Sequence, residues 1–337
     1  MKFTLGLLGA ACLAAATLVG CGGGANGTAT TSSASTAGAG QTVVIGIIGK
    51  SVSNPVFQAA HAGAQDAARE LGPKYHRTVQ IEIRTPPDED ANAQANAIQN
   101  MINEHVNGIA ISCSNAATLT PAINRAVSKG IAVMCFDSDA PDSKRMCYYG
   151  TDDIACGTET MKYLAQFMGD KGTVAILAGS PDAPNLRNRV KGAEDELKKY
   201  PNMHEISRGP VHHKETASDA AQALQQTQRS NPEINGWCLI GGWPLFTRDA
   251  LPWPAGTVKV VSVDALPAEL AYLKDGHVQL LLAQDCYGWG HKSVEILLNK
   301  IVDHKDPAQT RMIDPLTKVT KDNADAFSKN WDKWLKH

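Results

Sequence analysis

The stretch VVIGIIGK at residues 43–50, followed by SVSNPVF at 51–57, carries the first signal of the fold. Its run of apolar and β-branched residues predicts a strand buried on both faces, as in parallel sheets. Asn54 has helix N-cap chemistry, and Pro55 suits the first helical position because its missing N–H would be unpaired there. Apolar residues then recur at helical spacing up to Leu71. This βα unit places a polar turn at the carboxyl end of the strand, where open α/β sheets bind ligands.

The rest of the chain repeats this alternation of strand and helix. Further strands are expected at residues 79–84, 108–112, 131–136 and 146–150, and then at 174–177, 204–207, 237–240, 258–263 and 278–283. Alternating buried strands and helices predict an α/β fold with parallel sheets, helices on both faces and right-handed crossovers. So many units exceed one open sheet. We therefore expect two Rossmann-like lobes, split near Gly150, with a ligand cleft between them.

The first forty residues are not expected to join these lobes. One lysine followed by an apolar run predicts a signal peptide at residues 1–20. The sequence LVGC at 18–21 resembles the bacterial lipobox, which implies acylation of Cys21 and attachment to a membrane by lipid. Residues 22–40 contain only Gly, Ala, Ser, Thr and one Asn, so 21–40 is predicted to be a flexible tether. The lobes are expected to comprise 41–150 plus 285–315, and 151–284 plus 316–337, joined by a multi-strand hinge.

Composition and missing motifs exclude several classes of function. A net charge of −2 and only 6% aromatic residues argue against nucleic-acid binding. The sequence contains no C-x-x-C pair, the motif that would suggest zinc or redox chemistry. Most cysteines after Cys21 are therefore expected to be free thiols. The sequence has no nucleophile elbow, P-loop or dinucleotide fingerprint, so neither a cofactor nor an enzyme is expected. His212 and His213 are expected to be solvated loop residues rather than metal ligands.

Polar residues concentrate where the predicted strands end. They are Lys50, Asn54, Asp137, Asp139, Arg187, Arg189, Trp243, Asp264 and Gln284. Carboxylates and amides accept hydrogen bonds from hydroxyls, and arginine donates through a planar fork. Aromatic rings such as Phe57 and Trp243 can stack on the apolar face of a sugar ring. An acid–base pair formed by Asp137 and Asp139 is a weaker interpretation, because Pro141 suggests that the strand has already ended.

From about Thr42 to Leu316 the order of motifs resembles the type I periplasmic sugar-binding proteins of ABC transporters, the ribose-binding group in particular. The resemblance rests on NPVF at 54–57, the Asp that ends the fourth strand, RNRVKG at 187–192, VSVD at 261–264 and the Gln at the hinge. The resemblance implies the following ligand contacts: Asn54, Phe57, Asp137, Arg187, Asp264 and Gln284. Ser138 and Gly241 depart from the ribose pattern, which indicates another ring or a polyol, with Trp243 supplying replacement contacts.

A second resemblance offers a competing ligand. Lys50 and the FDSD motif at 136–139 are similar to the furanosyl autoinducer-binding proteins, in which a lysine and neighbouring aspartates serve the site. The Asp-Gln pair of those proteins falls on Asn185-Leu186, and leucine cannot take that role. A sugar therefore remains the preferred ligand.

The expected function is that of an extracytoplasmic lipoprotein, monomeric, that captures a monosaccharide or polyol by hinge closure and delivers it to an ABC permease. A LacI-type repressor would need a DNA-binding helix pair where the signal and tether stand. A sensor that presents the ligand to a chemoreceptor or histidine kinase remains compatible with the sequence. An exported hydrolase would reveal itself by turnover of a sugar conjugate.

Overall fold

The computed structural model describes residues 41–334, which contain two sheets and nine α-helices. The strands are β1 Thr42–Ile48, β2 Thr78–Ile83, β3 Gly108–Ile111, β4 Ala132–Phe136, β5 Tyr148–Gly150, β6 Lys171–Gly179, β7 Asn202–Glu205, β8 Val211–His212, β9 Ile234–Leu239, β10 Lys259–Val263, β11 Leu280–Ala283, β12 Arg311–Ile313 and β13 Thr317–Val319. The helices are α1 Val56–Leu71, α2 Ala91–Asn103, α3 Ala116–Ser128, α4 Asp153–Met168, α5 Pro184–Leu197, α6 Ala217–Ser230, α7 Pro267–Asp275, α8 Cys286–Asp303 and α9 Ala324–Trp334. No helix in this range is both long and apolar enough to cross a bilayer.

The predicted two-sheet α/β architecture is confirmed. The first sheet has the order β12-β5-β4-β3-β1-β2, and all its pairings are parallel. The second has the order β13-β11-β10-β9-β6-β7, with β8 beside β6. Its edge strand β13 runs antiparallel to β11, which corrects the expectation of purely parallel sheets. Strands β8, β12 and β13, each two or three residues long, were not predicted from the sequence.

The chain passes between the two sheets three times within the described residues. It leaves the first sheet after β5, returns to it with β12, and rejoins the second sheet with β13. Three connections are a physical basis for a hinge, since each can absorb a small rotation. The predicted lobes, 41–150 plus 285–315 and 151–284 plus 316–337, remain our proposal, which this strand membership supports.

Each sheet is covered by a pair of helices that touch backbone to backbone. In the first, a Cβ on Gly63 of α1 would lie 2.1 Å from the Tyr287 carbonyl oxygen of α8, and one on Gly290 would lie 1.7 Å from that of Ala60. In the second, Gly157 of α4 and Gly192 of α5 make the same reciprocal approach. Glycine is required at these positions because any side chain would push the helices apart.

The core is apolar and contains reduced cysteines. The cysteines within the described residues are all buried and free, namely Cys113, Cys135, Cys147, Cys156, Cys238 and Cys286. This confirms the expectation that they are thiols that pack as small hydrophobic groups. Burial raises the pKa of several of them; that of Cys156 rises to about 12, mainly by desolvation. Such thiols are poor nucleophiles at neutral pH.

Candidate functional site

Polar residues from both sheets meet at the carboxyl ends of the strands. Asp137 directly follows β4 and Asp264 directly follows β10, each with a left-handed backbone (φ +54° and +77°). Gln284 follows β11 and is 7% exposed. Residues other than glycine seldom adopt this backbone conformation, which turns the chain sharply after each strand. The two aspartates therefore mark equivalent ends of the two sheets.

Arg189 of α5 is the centre of the cluster. Its Nε donates to Asp153 Oδ1 at 2.9 Å, and its Nη2 donates to Gln284 Oε1 at 2.7 Å. Its Nη1 donates to the Ile240 carbonyl oxygen at 3.2 Å. Gln284 also accepts from Thr151 Oγ1 at 2.9 Å. The arginine thus links the start of α4 to the ends of β9 and β11.

Asp137 brings the first sheet into the same cluster. Its Oδ2 accepts from Ser112 Oγ at 2.6 Å, and its Oδ1 accepts from Asn185 Nδ2 at 3.2 Å. The guanidinium of Arg189 lies 3.9 Å from Asp137 Oδ1. On the other side, Gln284 Nε2 donates to Asp264 Oδ1 at 2.7 Å. One connected network therefore spans both sheets, as expected for a site between lobes.

Burial and charge shift the pKa values of the cluster. Desolvation raises the pKa of the Asp153 carboxyl to about 7, although Arg189 beside it acts in the opposite direction. The pKa of Asp264 is also raised by burial, against the effects of Arg189 and Gln284. Burial alone would lower the pKa of Arg189, but Asp153 and its other acidic neighbours raise it, so the guanidinium stays charged. A charged donor thus sits among carboxylates in a dry interior.

Lys50 forms a second charged group across the cleft. Its Nζ lies 2.8 Å from Glu215 Oε2 and 3.5 Å from Glu89 Oε1. Burial alone would lower the pKa of Lys50, but Glu215, Glu89 and Asp137 outweigh this and raise it. Lys50 follows β1 of the first sheet, whereas Glu215 follows β8 of the second. Lys50, a predicted site residue, therefore contacts the second sheet's side of the cleft through Glu215. Neither Glu215 nor Glu89 was predicted from the sequence.

The side chain of Arg187, a predicted site residue, points away from the cluster. It is exposed, and its Nη1 donates to the carbonyl oxygens of Pro181 and Asp182 at 3.1 and 2.8 Å. Residues two apart on a helix face different sides. Arg189 therefore takes the buried position that the resemblance assigned to Arg187. The signal was present, since Arg189 stands three residues after Leu186 and four before Ala193 on the buried stripe of α5.

Asp139 also has a different role from the one expected. Its carboxylate pairs with Arg145 through both oxygens, with Arg145 Nη2 at 2.6 Å from Oδ2, and it lies 3.8 Å from Arg311. Asp139 thus links the loop after β4 to β12. It makes no bond to Asp137, so the structure provides no basis for an acid–base pair.

The aromatic and amide residues lie close to the site but are already engaged by protein. Phe57 is 1% exposed and packs with Phe136 and Trp289, with ring centroids 6.4 and 6.3 Å apart. Trp243 is 4% exposed and meets the edge of His213 at 5.1 Å. Asn54 Oδ1 accepts from the Val56 N–H at 3.2 Å, although the N-cap of α1 is Pro55, one residue later than predicted. A contact of these three residues with a ligand stays a prediction.

Several site residues carried no usable sequence signal. Asp153, Asn185, Glu89 and Glu215 stand in the first turn of a helix or in loops, and only folding brings them to the cleft. His213 was expected to be solvated, yet its Nε2 is buried beside Trp243. Cys21 and the predicted signal and tether lie outside the described residues.

Two large cavities lie at opposite edges of the fold. One of about 790 Å³ is lined by residues of both lobes, including Ser51, Glu89, His213 and Glu215. Its size is within the usual range of small-molecule sites. The other, about 1060 Å³, lies around the carboxyl ends of α2, α3 and α8 and contains none of the predicted site residues. The smaller cavity is therefore the one that adjoins the candidate site.

The sequence is similar to known solute-binding proteins. A sequence model described as a periplasmic binding protein domain matches residues 45–305. The chain is 25% identical over 239 residues to a xylitol-binding protein of Mycolicibacterium smegmatis, which covers 70% of this chain and 67% of that protein. It is 24% identical over 148 residues to a ribose import binding protein of Bacillus subtilis, covering 44% and 46%. The chain thus spans between about half and two thirds of these two relatives.

A solved structure extends the likeness to nearly the whole fold. It is a solute-binding protein of an ABC transporter from Burkholderia graminis, in complex with D-arabinose. The TM-score is 0.76 at 28% identity, and the match covers 84% of this chain and 97% of that one. Since the family model matches more than half of the sequence and the two-sheet fold agrees, this chain belongs to the periplasmic binding protein domain family.

Proposed function

We propose that this chain is the solute-binding component of an ABC importer and that it captures a monosaccharide or polyol between its two lobes. The network that joins Asp137, Arg189 and Gln284 is the observation that carries the proposal, because it places acceptors and a charged donor at one point between both sheets. The xylitol, ribose and D-arabinose named for the relatives support a neutral polyhydroxyl ligand.

The chemistry of the cluster suits reversible capture rather than turnover. Carboxylate and amide oxygens accept from ligand hydroxyls, and the arginine fork donates to ring or hydroxyl oxygens. Since Asp137 and Arg189 belong to different lobes, a ligand that contacts both is bound only when the lobes close. Closure removes water and strengthens each of these bonds.

The test is calorimetry on the purified protein with a panel of pentoses, hexoses and polyols, first screened by thermal shift. Asp137→Asn should weaken binding of the ligand found by about 2–5 kcal/mol, since it removes the charge from a buried bonded group. Asp142→Asn, on an exposed aspartate of the same loop, is the matched control. Unchanged affinity in Asp137→Asn would refute the assignment, and so would the absence of any ligand in the panel.

We further propose that the chain is a lipoprotein held at the membrane through Cys21. Cys21→Ser should then move the protein from the membrane fraction to the soluble fraction and abolish incorporation of labelled fatty acid. A Cys238→Ser variant, which changes a buried thiol of the second sheet, controls for the loss of a cysteine as such. Equal labelling of both variants would contradict this attachment site.

A further inference from the structure

The carboxyl-terminal helix α9 reaches from one lobe to the other. It follows β13, the edge strand of the second sheet, and packs beside α7. Its last residue, Trp334, instead stacks on Tyr287, with ring centroids 5.6 Å apart and planes inclined by only 12°. Tyr287 lies in the first turn of α8, a helix that packs on strands of the first sheet. The helix thus joins the lobes at a place separate from the polar cluster.

Each ring of this stack is fixed to its own lobe. Trp331, one turn before Trp334, is 5% exposed, and its Nε1 donates to the Ala265 carbonyl oxygen at 2.8 Å. The Trp331 and Trp334 rings meet edge to face at 5.1 Å. On the other side, the Tyr287 hydroxyl donates to Asp66 Oδ2 of α1 at 2.9 Å. Because the two rings are held by different lobes, a rotation of one lobe against the other must displace one ring from its partner.

The contacts of α9 lie next to the hinge and to two site residues. Tyr287 stands three residues after Gln284, where the chain passes from β11 to α8. Ala265, which accepts from Trp331, directly follows Asp264. Nearly parallel rings with centroids about 4.5–7 Å apart are a favourable arrangement, and shear between them loses this attraction. The stack is therefore placed where it can oppose opening of the cleft.

We propose that α9 is an interlobe clamp: the stack of Trp334 on Tyr287 forms when the lobes are closed, breaks when they open, and so favours the closed form. The clamp uses the lobe closure of the proposed function, but it acts in the protein without ligand. Closure is part of the free energy of binding. A contact made only in the closed form therefore slows release of a bound sugar and leaves the rate of capture by the open form unchanged.

The first experiment measures closure without ligand, by small-angle X-ray scattering on the purified protein. Trp334→Ala and Tyr287→Leu should each increase the radius of gyration, whereas Trp334→Phe, which keeps an aromatic ring, should stay close to wild type. The variant that combines Trp334→Ala with Tyr287→Leu should open no further than either alone, because both substitutions remove the same contact. Phe167→Ala, on an aromatic residue of α4 that is 41% exposed, is the matched control.

The second experiment measures binding of xylitol and D-arabinose, two members of the panel given above, by calorimetry and stopped-flow fluorescence. For each of these compounds that binds wild type, the Kd of Trp334→Ala should be about two- to tenfold weaker, as expected for the loss of one aromatic pair. The change should lie in the dissociation rate rather than in the association rate. A change confined to the association rate would contradict a contact made only on closure.

The outcomes separate the clamp from the proposed function. Scattering profiles of Trp334→Ala and Tyr287→Leu that are identical to wild type overturn the clamp and leave sugar binding standing. Additive effects in the double variant also overturn it, since they show that the two residues act separately. If the variants open as expected but no sugar or polyol binds, the clamp stands and the proposed function fails. Because Tyr287→Leu does not alter α9, it keeps the test valid should Trp334→Ala unravel the end of that helix.

Discussion

Arg189 is the residue on which the interior of the cleft depends. It is 2% exposed, yet it contacts the carboxylate of Asp153 and lies near that of Asp137. Burying such ions costs several kcal/mol each, which is recovered only while every partner is present. The arginine is therefore expected to make the cleft well defined rather than simply to add stability.

Replacing Arg189 should destabilise the protein, because its buried partners depend on it. Arg189→Ala leaves Asp153 and Gln284 without their donor, so we expect a loss of about 3–5 kcal/mol in the free energy of unfolding. Arg187→Ala, two residues away and exposed, should change it by less than about 0.5 kcal/mol. Urea denaturation of the two variants measures the difference. Similar stabilities would show that the guanidinium is not the hub described above.

The Glu89 carboxyl should make stability depend on pH with a definite sign. Its pKa is about 7 in the folded protein against an ordinary value of 4.5, so the folded state holds a proton that the unfolded state has lost. Its contribution is present below pH 4.5 and is lost as the pH rises through 7. Relative to Glu89→Gln, the wild type should lose up to about 3 kcal/mol across this window, at about 1.36 kcal/mol per pKa unit.

Thermal and urea unfolding of both proteins from pH 4 to 8 provide the measurement. The comparison with Glu89→Gln cancels other titrating groups, such as His61, whose pKa burial lowers to about 4. Parallel stability curves for the two proteins across this range would rule out the shifted carboxyl.

At the scale of elements, helix pairs set the position of the site residues. A Cβ on Gly157 of α4 would lie 1.8 Å from the carbonyl oxygen of Arg189, and one on Gly192 would lie 2.1 Å from that of Ile154. The backbone of α5 is therefore held directly against α4, whose first turn carries Asp153. This contact fixes the depth at which Arg189 enters the cleft.

A methyl group at this contact should be harmful although alanine favours helices. In an exposed helix, glycine to alanine stabilises by about 1 kcal/mol. Gly192→Ala should instead destabilise by about 1–3 kcal/mol, because overpacking forces α5 away from α4. It should also weaken ligand binding, since Arg189 moves with the helix. Asn188→Ala, exposed on the same helix, is the control; a stabilised Gly192→Ala would disprove the close approach.

At the scale of the whole molecule, polar side-chain contacts connect the two lobes directly. Lys50 reaches Glu215 at 2.8 Å, and Asn185 reaches Asp137 at 3.2 Å. These bonds hold the lobes together at the carboxyl ends of the sheets. They exchange with water when the cleft opens, so their balance sets the fraction of closed protein.

Lys50→Met should shift that balance toward the open form. Without the ammonium, Glu215 repels Glu89 once the Glu89 carboxyl loses its proton above pH 7. We expect a larger radius of gyration by small-angle X-ray scattering at pH 8, and its return toward the wild-type value at pH 5, where Glu89 is protonated. Lys198→Met, on a solvated lysine, controls for the change of charge. An identical scattering profile for Lys50→Met and wild type at pH 8 would contradict this role.

The sequence by itself determined the alternation of buried strands and helices, and with it the two-sheet fold and the strand ends that carry Asp137, Asp264 and Gln284. Those features are local, because periodicity and turn chemistry act over a few residues. Only the tertiary structure decided that Arg189 rather than Arg187 faces the cleft, and that Lys50 meets Glu89 and Glu215. The physical reason is that side-chain partners far apart in sequence are chosen by packing and charge, which no local pattern records.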